Sequence, residues 1–159
     1  METYQVGLIG LAFFSVLALL ALVSWRRRIS KQQMVIQKPM EVLGSISGYK
    51  CFYVATTFAD RPLERVVAHG LAHRGAAYLV INDSGLEISR TGEMSFFVPK
   101  ADLIQVGRLS TVIDRAVEKD GLVSVSWKLG SQKLESHFRF VDSQIREDSL
   151  AHLAGLVGA

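Results

Sequence analysis

Twenty consecutive residues, Val6 to Trp25, carry no charge. A helix of that length covers about 30 Å, the hydrocarbon thickness of a bilayer. Twelve of the twenty are Val, Leu, Ile or Phe. On the membrane-insertion scale these side chains favour the lipid by roughly 4 to 7 kcal/mol. The block is apolar on every side, which argues against a one-sided helix packed on a soluble core. A cleaved signal peptide would start with basic residues and end in small ones. Here Met1 to Gln5 contain no Lys or Arg, and the run ends in Trp25, Arg26, Arg27 and Arg28. The expected organisation is therefore a short leading segment (1–5), a transmembrane helix (6–25), a basic juxtamembrane linker (26–48) and one folded domain (49–159).

Charge sets the orientation. Arg26, Arg27, Arg28, Lys31 and Lys38 follow the span, and no basic residue precedes it. The positive-inside rule then puts the C-terminal part in the cytoplasm and the N-terminus outside the plasma membrane. Trp25 suits the headgroup level. The net charge of +3 has the same origin, because residues 49–159 hold thirteen basic and thirteen acidic side chains. A phosphate-tracking groove needs a basic face on the domain itself, so a nucleic-acid partner is not expected. The lone Cys51 is compatible with a reducing compartment.

Beyond Gly48 the pattern is that of short strands. Tyr49–Thr57, Ala77–Ile81, Leu86–Arg90, Ser95–Val98, Leu103–Val106, Leu122–Trp127 and Leu134–Phe140 are rich in β-branched and aromatic residues or alternate strictly. Asn82–Gly85, Thr91-Gly92 and Leu129-Gly130-Ser131 supply turns. Between the first two strands, Pro62 followed by Leu63, Val66, Val67, Gly70 and Leu71 predicts a short amphipathic helix. Residues 107–119 read as a loop or extended edge. Asp142 or Ser143 should cap a final helix whose broken apolar stripe of Ile145, Ser149, Leu150, Leu153, Leu156 and Val157 closes one end of the sheet. The fold class is α+β, mainly β: seven antiparallel strands in a sandwich or barrel, capped by a C-terminal helix.

With these elements in place, the chain resembles the bacterial PH-like domains, in particular single-pass membrane proteins of actinobacterial type. The resemblance rests on element order and on Leu63–Leu71, Ser95–Pro99, Ile113–Val117 and Glu135–Phe140. It implies two packed antiparallel sheets with the terminal helix plugging one end. The basic pattern of phosphoinositide-binding PH domains is interrupted here, since Arg61 and Arg65 stand beside Asp60 and Glu64, and Trp127 falls in a strand rather than in the last helix.

Few residues suggest chemistry. His69 and His73 have the spacing of metal ligands on one helix face, but the run His69-Gly70-Leu71-Ala72-His73 lacks the glutamate of the metalloprotease motif. Cys51 lies inside an apolar strand and reads as an inert thiol. No Ser stands on a nucleophile elbow. Neither an enzyme nor a cofactor is expected. The charged run 113–120 offers Arg115, Glu118 and Lys119 as a partner rim. Phe96 and Phe97 are adjacent in a strand, so they point to opposite faces, and one of them is a candidate docking residue. The reading is a membrane-anchored scaffold that tethers a protein partner. Trp25, Arg26, Arg27, Arg28 and Lys31 form the membrane flank; recognition of anionic lipid headgroups by Arg26–Arg28 with nearby domain residues is the alternative, and a metal or enzymatic site at His69 and His73 is a weaker one.

Overall fold

The computed structural model describes residues 3–109, 111, 112, 115, 116 and 121–158. Helix α1 (Thr3–Val35) is 33 residues long, about 50 Å at the usual rise. It outruns the apolar block by nearly three turns. Gly7–Val35 is long and apolar enough to cross a membrane. Leu8, Leu11, Phe13, Phe14, Leu19 and Leu20 are exposed all round it.

Eleven strands follow among the described residues. They are β1 (Met40–Val42), β2 (Tyr49–Phe58), β3 (Arg61–Arg65), β4 (Gly75–Asn82), β5 (Gly85–Arg90), β6 (Ser95–Pro99), β7 (Leu103–Leu109), β8 (Thr111–Val112), β9 (Arg115–Ala116), β10 (Leu122–Leu129) and β11 (Gln132–Arg139). Helix α2 (Ser143–Gly158) ends the fold. Nine of the strands form one antiparallel sheet in the order β1-β6-β5-β4-β2-β11-β10-β7, with β3 added to β2. The sheet does not close. It folds over on itself through β2, whose residues 49–53 pair with β4 while residues 52–58 pair with β11. A register shift lies at that handover, between the His137 and Phe138 pairings. Bulges of this kind bend a strand and sharpen its twist, which lets one strand serve both layers of a sandwich.

The core lies between the layers. Tyr53, Phe96, Trp127 and Phe138 are fully buried at its centre, with Phe96 stacked on Trp127 at 5.7 Å and Tyr53 edge-on to Phe138 at 5.8 Å. A chain of hydrogen bonds runs through it. Trp127 Nε1 donates to Ser136 Oγ at 2.9 Å, Ser136 and Thr56 hydroxyls lie 2.7 Å apart, and Thr56 and Tyr53 hydroxyls 2.6 Å apart. Tyr53 donates to the Leu71 carbonyl at 2.7 Å. One proton direction satisfies every member, and a buried polar network needs that to be stable. Helix α2 lays Ser149, Leu153 and Leu156 on this core. Its cap is Asp142, whose Oδ1 accepts the N–H groups of Gln144 and Ile145 at 2.7 and 3.2 Å.

The helix expected around Pro62 to Gly70 is absent. In its place β3 folds back on β2, followed by a 3-10 turn at Ala68–Gly70. Asp60 lies in the hairpin turn, and the Arg61 guanidinium stacks on Phe58 at 4.4 Å. Pro62 is tolerated because β3 pairs on one side alone. The segment is too short to repay helix nucleation when a strand edge stands open beside it. Gly85 shows a different constraint: its φ is +155°, and a Cβ there would sit 2.2 Å from the Val98 carbonyl oxygen.

Candidate functional site

The last turn of α1 does not trail off into a tether. Gln32 is buried and makes four hydrogen bonds, two to the end of β3 and two to the segment after it. Its Oε1 accepts the N–H groups of Val67 at 2.7 Å and Ala68 at 3.3 Å. Its Nε2 donates to Glu64 Oε1 and to the Arg65 carbonyl, each at 3.4 Å. One turn on, Ile36 is 1% exposed and belongs to the domain core. The Ile36 carbonyl accepts a hydrogen bond from His69 Nε2 at 3.0 Å. His69 is the one described non-glycine residue with positive φ, at 54°. That left-handed conformation turns its ring toward the helix end. Residues 26–35 continue the helix as far as Val35, and β1 pairs with β6.

This junction has an open groove beside it, of about 590 Å³. Leu20 and Val23 line one end, Arg27, Arg28 and Lys31 the other, and Glu64 of β3 stands opposite. The Glu64 carboxylate is engaged by Arg61 Nη1 at 2.7 Å. Among the described residues, no acidic side chain pairs with Arg27, Arg28 or Lys31. Trp25 and Arg26 are exposed but do not line the groove.

The two histidines do not share a face. His69 is held at Ile36, while His73 Nδ1 faces Glu93 Oε1 at 3.1 Å on the turn after β5. The helix that would have aligned them does not form. No group of three or more metal-ligating side chains occurs among the described residues.

Phe96 is corrected as a docking residue: it is fully buried, stacked on Trp127. Phe97 is half-buried on the opposite face of β6. Arg115 lies in β9, which pairs with β8. Its side chain, Glu118 and Lys119 lie outside the described structure.

Cys51, Arg90 and His137 are buried in the domain. Burial pushes the Cys51 thiol up to about 12, so it stays protonated. Arg90 is 5% exposed, with its guanidinium donating to the carbonyls of Met94 and Gly70 at 2.9 Å and lying 4.9 Å from the Tyr53 ring centre. It ties the segment before β4 to the turn after β5. His137 Nε2 meets Thr57 Oγ1 at 3.1 Å, and Nδ1 has no partner. Burial lowers the pKa of this imidazole, against a smaller opposing pull from Glu135.

Neither Gln32 nor Ile36 stood out in a stretch of mixed polarity. The available signal was that Ile36, an apolar residue, stands four positions after Gln32 in line with the helix face. Compared with known protein families, residues 32–154 match the model of a family described as bacterial PH domain-like. The match opens on Gln32, at the junction rather than at the first long strand. No curated protein matches the sequence.

Proposed function

This chain belongs to the bacterial PH domain-like family, and from that premise we propose that it is a membrane-anchored binding module. Helix α1 spans the bacterial plasma membrane, and the β domain stands on the cytoplasmic side. The module tethers a protein partner there and does no chemistry on it. Confinement to the surface raises the effective concentration of that partner.

The observation that carries this reading is the seating of Gln32 and Ile36 in the domain. Anchor and domain are joined through buried contacts, so the domain presents a fixed face to the cytoplasm. Arg26, Arg27, Arg28 and Lys31 stand where the helix would leave the lipid, and the basic bias after the span supports the inward orientation.

Two measurements test it. A reporter fused after Ala159 should be active in the cytoplasm and silent outside, and the reverse pattern would overturn the orientation. Photo-crosslinkers at Phe97 and Arg115 in native membranes should each trap the same protein. Tethering is refuted if neither position traps any protein above the level seen without irradiation.

A further inference from the structure

We infer that the groove between α1 and β3 holds one anionic phospholipid, its phosphate on Arg27, Arg28 and Lys31 and an acyl chain along Leu20 and Val23. This rests on the reading of α1 as a membrane anchor and names a ligand for its cytoplasmic end.

The positions decide the face. Leu20, Val23, Arg27 and Lys31 recur at helical spacing and share one face of α1, and the groove takes in that face with Arg28 and Gln32 on its flank. Three of the four basic residues on α1 therefore gather where α1 and β3 form two walls, and Arg26 is left out. The one acidic residue lining the groove, Glu64, already has Arg61 at 2.7 Å, so the cationic end is uncompensated. The groove lies within two helical turns of Trp25, at headgroup level for a spanning helix.

Its volume of about 590 Å³ falls in the usual range of small-molecule sites, roughly 300–1,000 Å³. It takes a phosphate with its glycerol backbone and leaves the tails to run up the apolar end. A polar tip and an apolar body are the chemistry of a phospholipid. The negative charge follows from the three unpaired cations. A lipid held by two walls differs from one merely drawn to a basic flank.

The test uses the full chain in nanodiscs of phosphatidylcholine and phosphatidylglycerol in equal parts. Lipid that stays bound after gentle detergent release is counted by native mass spectrometry. The wild type should retain one phosphatidylglycerol. The triple variant Arg27→Gln, Arg28→Gln, Lys31→Gln should lower its retention by about tenfold or more, and Arg26→Gln by less than about twofold. Val23→Trp keeps every charge and fills the apolar end, so it should also expel the lipid. The groove site is overturned if Val23→Trp retains the lipid, or if Arg26→Gln costs as much as changes at Arg27 and Arg28. Alkaline extraction of cell membranes carrying the full chain separates the two readings. A chain that stays integral but keeps no specific lipid refutes the groove alone. A chain that washes off refutes the anchor and the groove with it.

Discussion

Gln32 Oε1 accepts the backbone N–H of Val67 at 2.7 Å, across 35 positions of sequence. A side chain on the last turn of the apolar helix thus completes the hydrogen bonding of a turn in the β domain. Val67 and Ala68 precede and open the 3-10 turn and have left the β3 ladder. Gln32 supplies the acceptor that a regular element would otherwise provide.

Gln32→Ala should therefore leave two N–H groups without this acceptor, one of them buried. We expect a loss of about 1–3 kcal/mol, concentrated at the junction. Hydrogen exchange on the full chain should show the Val67 and Ala68 amides losing protection while β10 and β11 keep theirs. Unchanged exchange at Val67 would mean that the side chain does not hold the turn.

Ser136 is the relay between Trp127 and Thr56. Ser136→Ala leaves the indole N–H without an acceptor in the core and should cost about 1–3 kcal/mol. Tyr53→Phe should cost less, because the Leu71 carbonyl also accepts the Thr56 N–H at 3.0 Å. Denaturant unfolding followed by tryptophan fluorescence ranks the two, and the reverse order would contradict the proton direction assigned to the network.

His137 gives the fold a sensitivity to acid. Its pKa is lowered in the folded chain by burial, while the unfolded chain keeps the ordinary value near about 6.5. The stability it contributes is fully present above that ordinary value and is lost as pH falls toward the folded value, because the unfolded state binds the proton first. Melting temperature should therefore decline between about pH 7 and 5, and His137→Gln should flatten that slope. Equal slopes in both proteins would place the acid sensitivity elsewhere.

Cys51 should be slow to alkylate. With the thiol pushed up to about 12 and the side chain 7% exposed, reaction near neutral pH should run at least a hundredfold slower, roughly, than in the unfolded chain. Iodoacetamide labelling in native buffer against denaturing detergent measures the ratio. Rapid native labelling would show the thiol to be open and ionised.

Much of the fold is legible in local pattern. Seven strands and the Asp142 cap follow from alternation, turn residues and a capping side chain, because each of those signals acts within a few residues. Leu86–Arg90 alternates, and it forms β5; Ile145, Leu153 and Leu156 share a face, and that face meets the core. The segment 60–70 was misread because Leu63, Val66 and Val67 recur at helical spacing. The competing influence was the open edge of β2, which no count of spacing within 60–70 contains. Phe96 and Phe97 show the same limit: adjacency says that they part, and the sheet's curvature says which goes inside.

The apolar helix, the basic flank behind it and the succession of seven strands along the chain were determined by the sequence alone, since hydropathy, charge and side-chain alternation are properties of neighbours along the chain. Tertiary structure alone decided that the helix end is built into the domain. Gln32 and Ile36 find their partners at Val67 and His69, and only the folded sheet brings those groups within hydrogen-bonding distance.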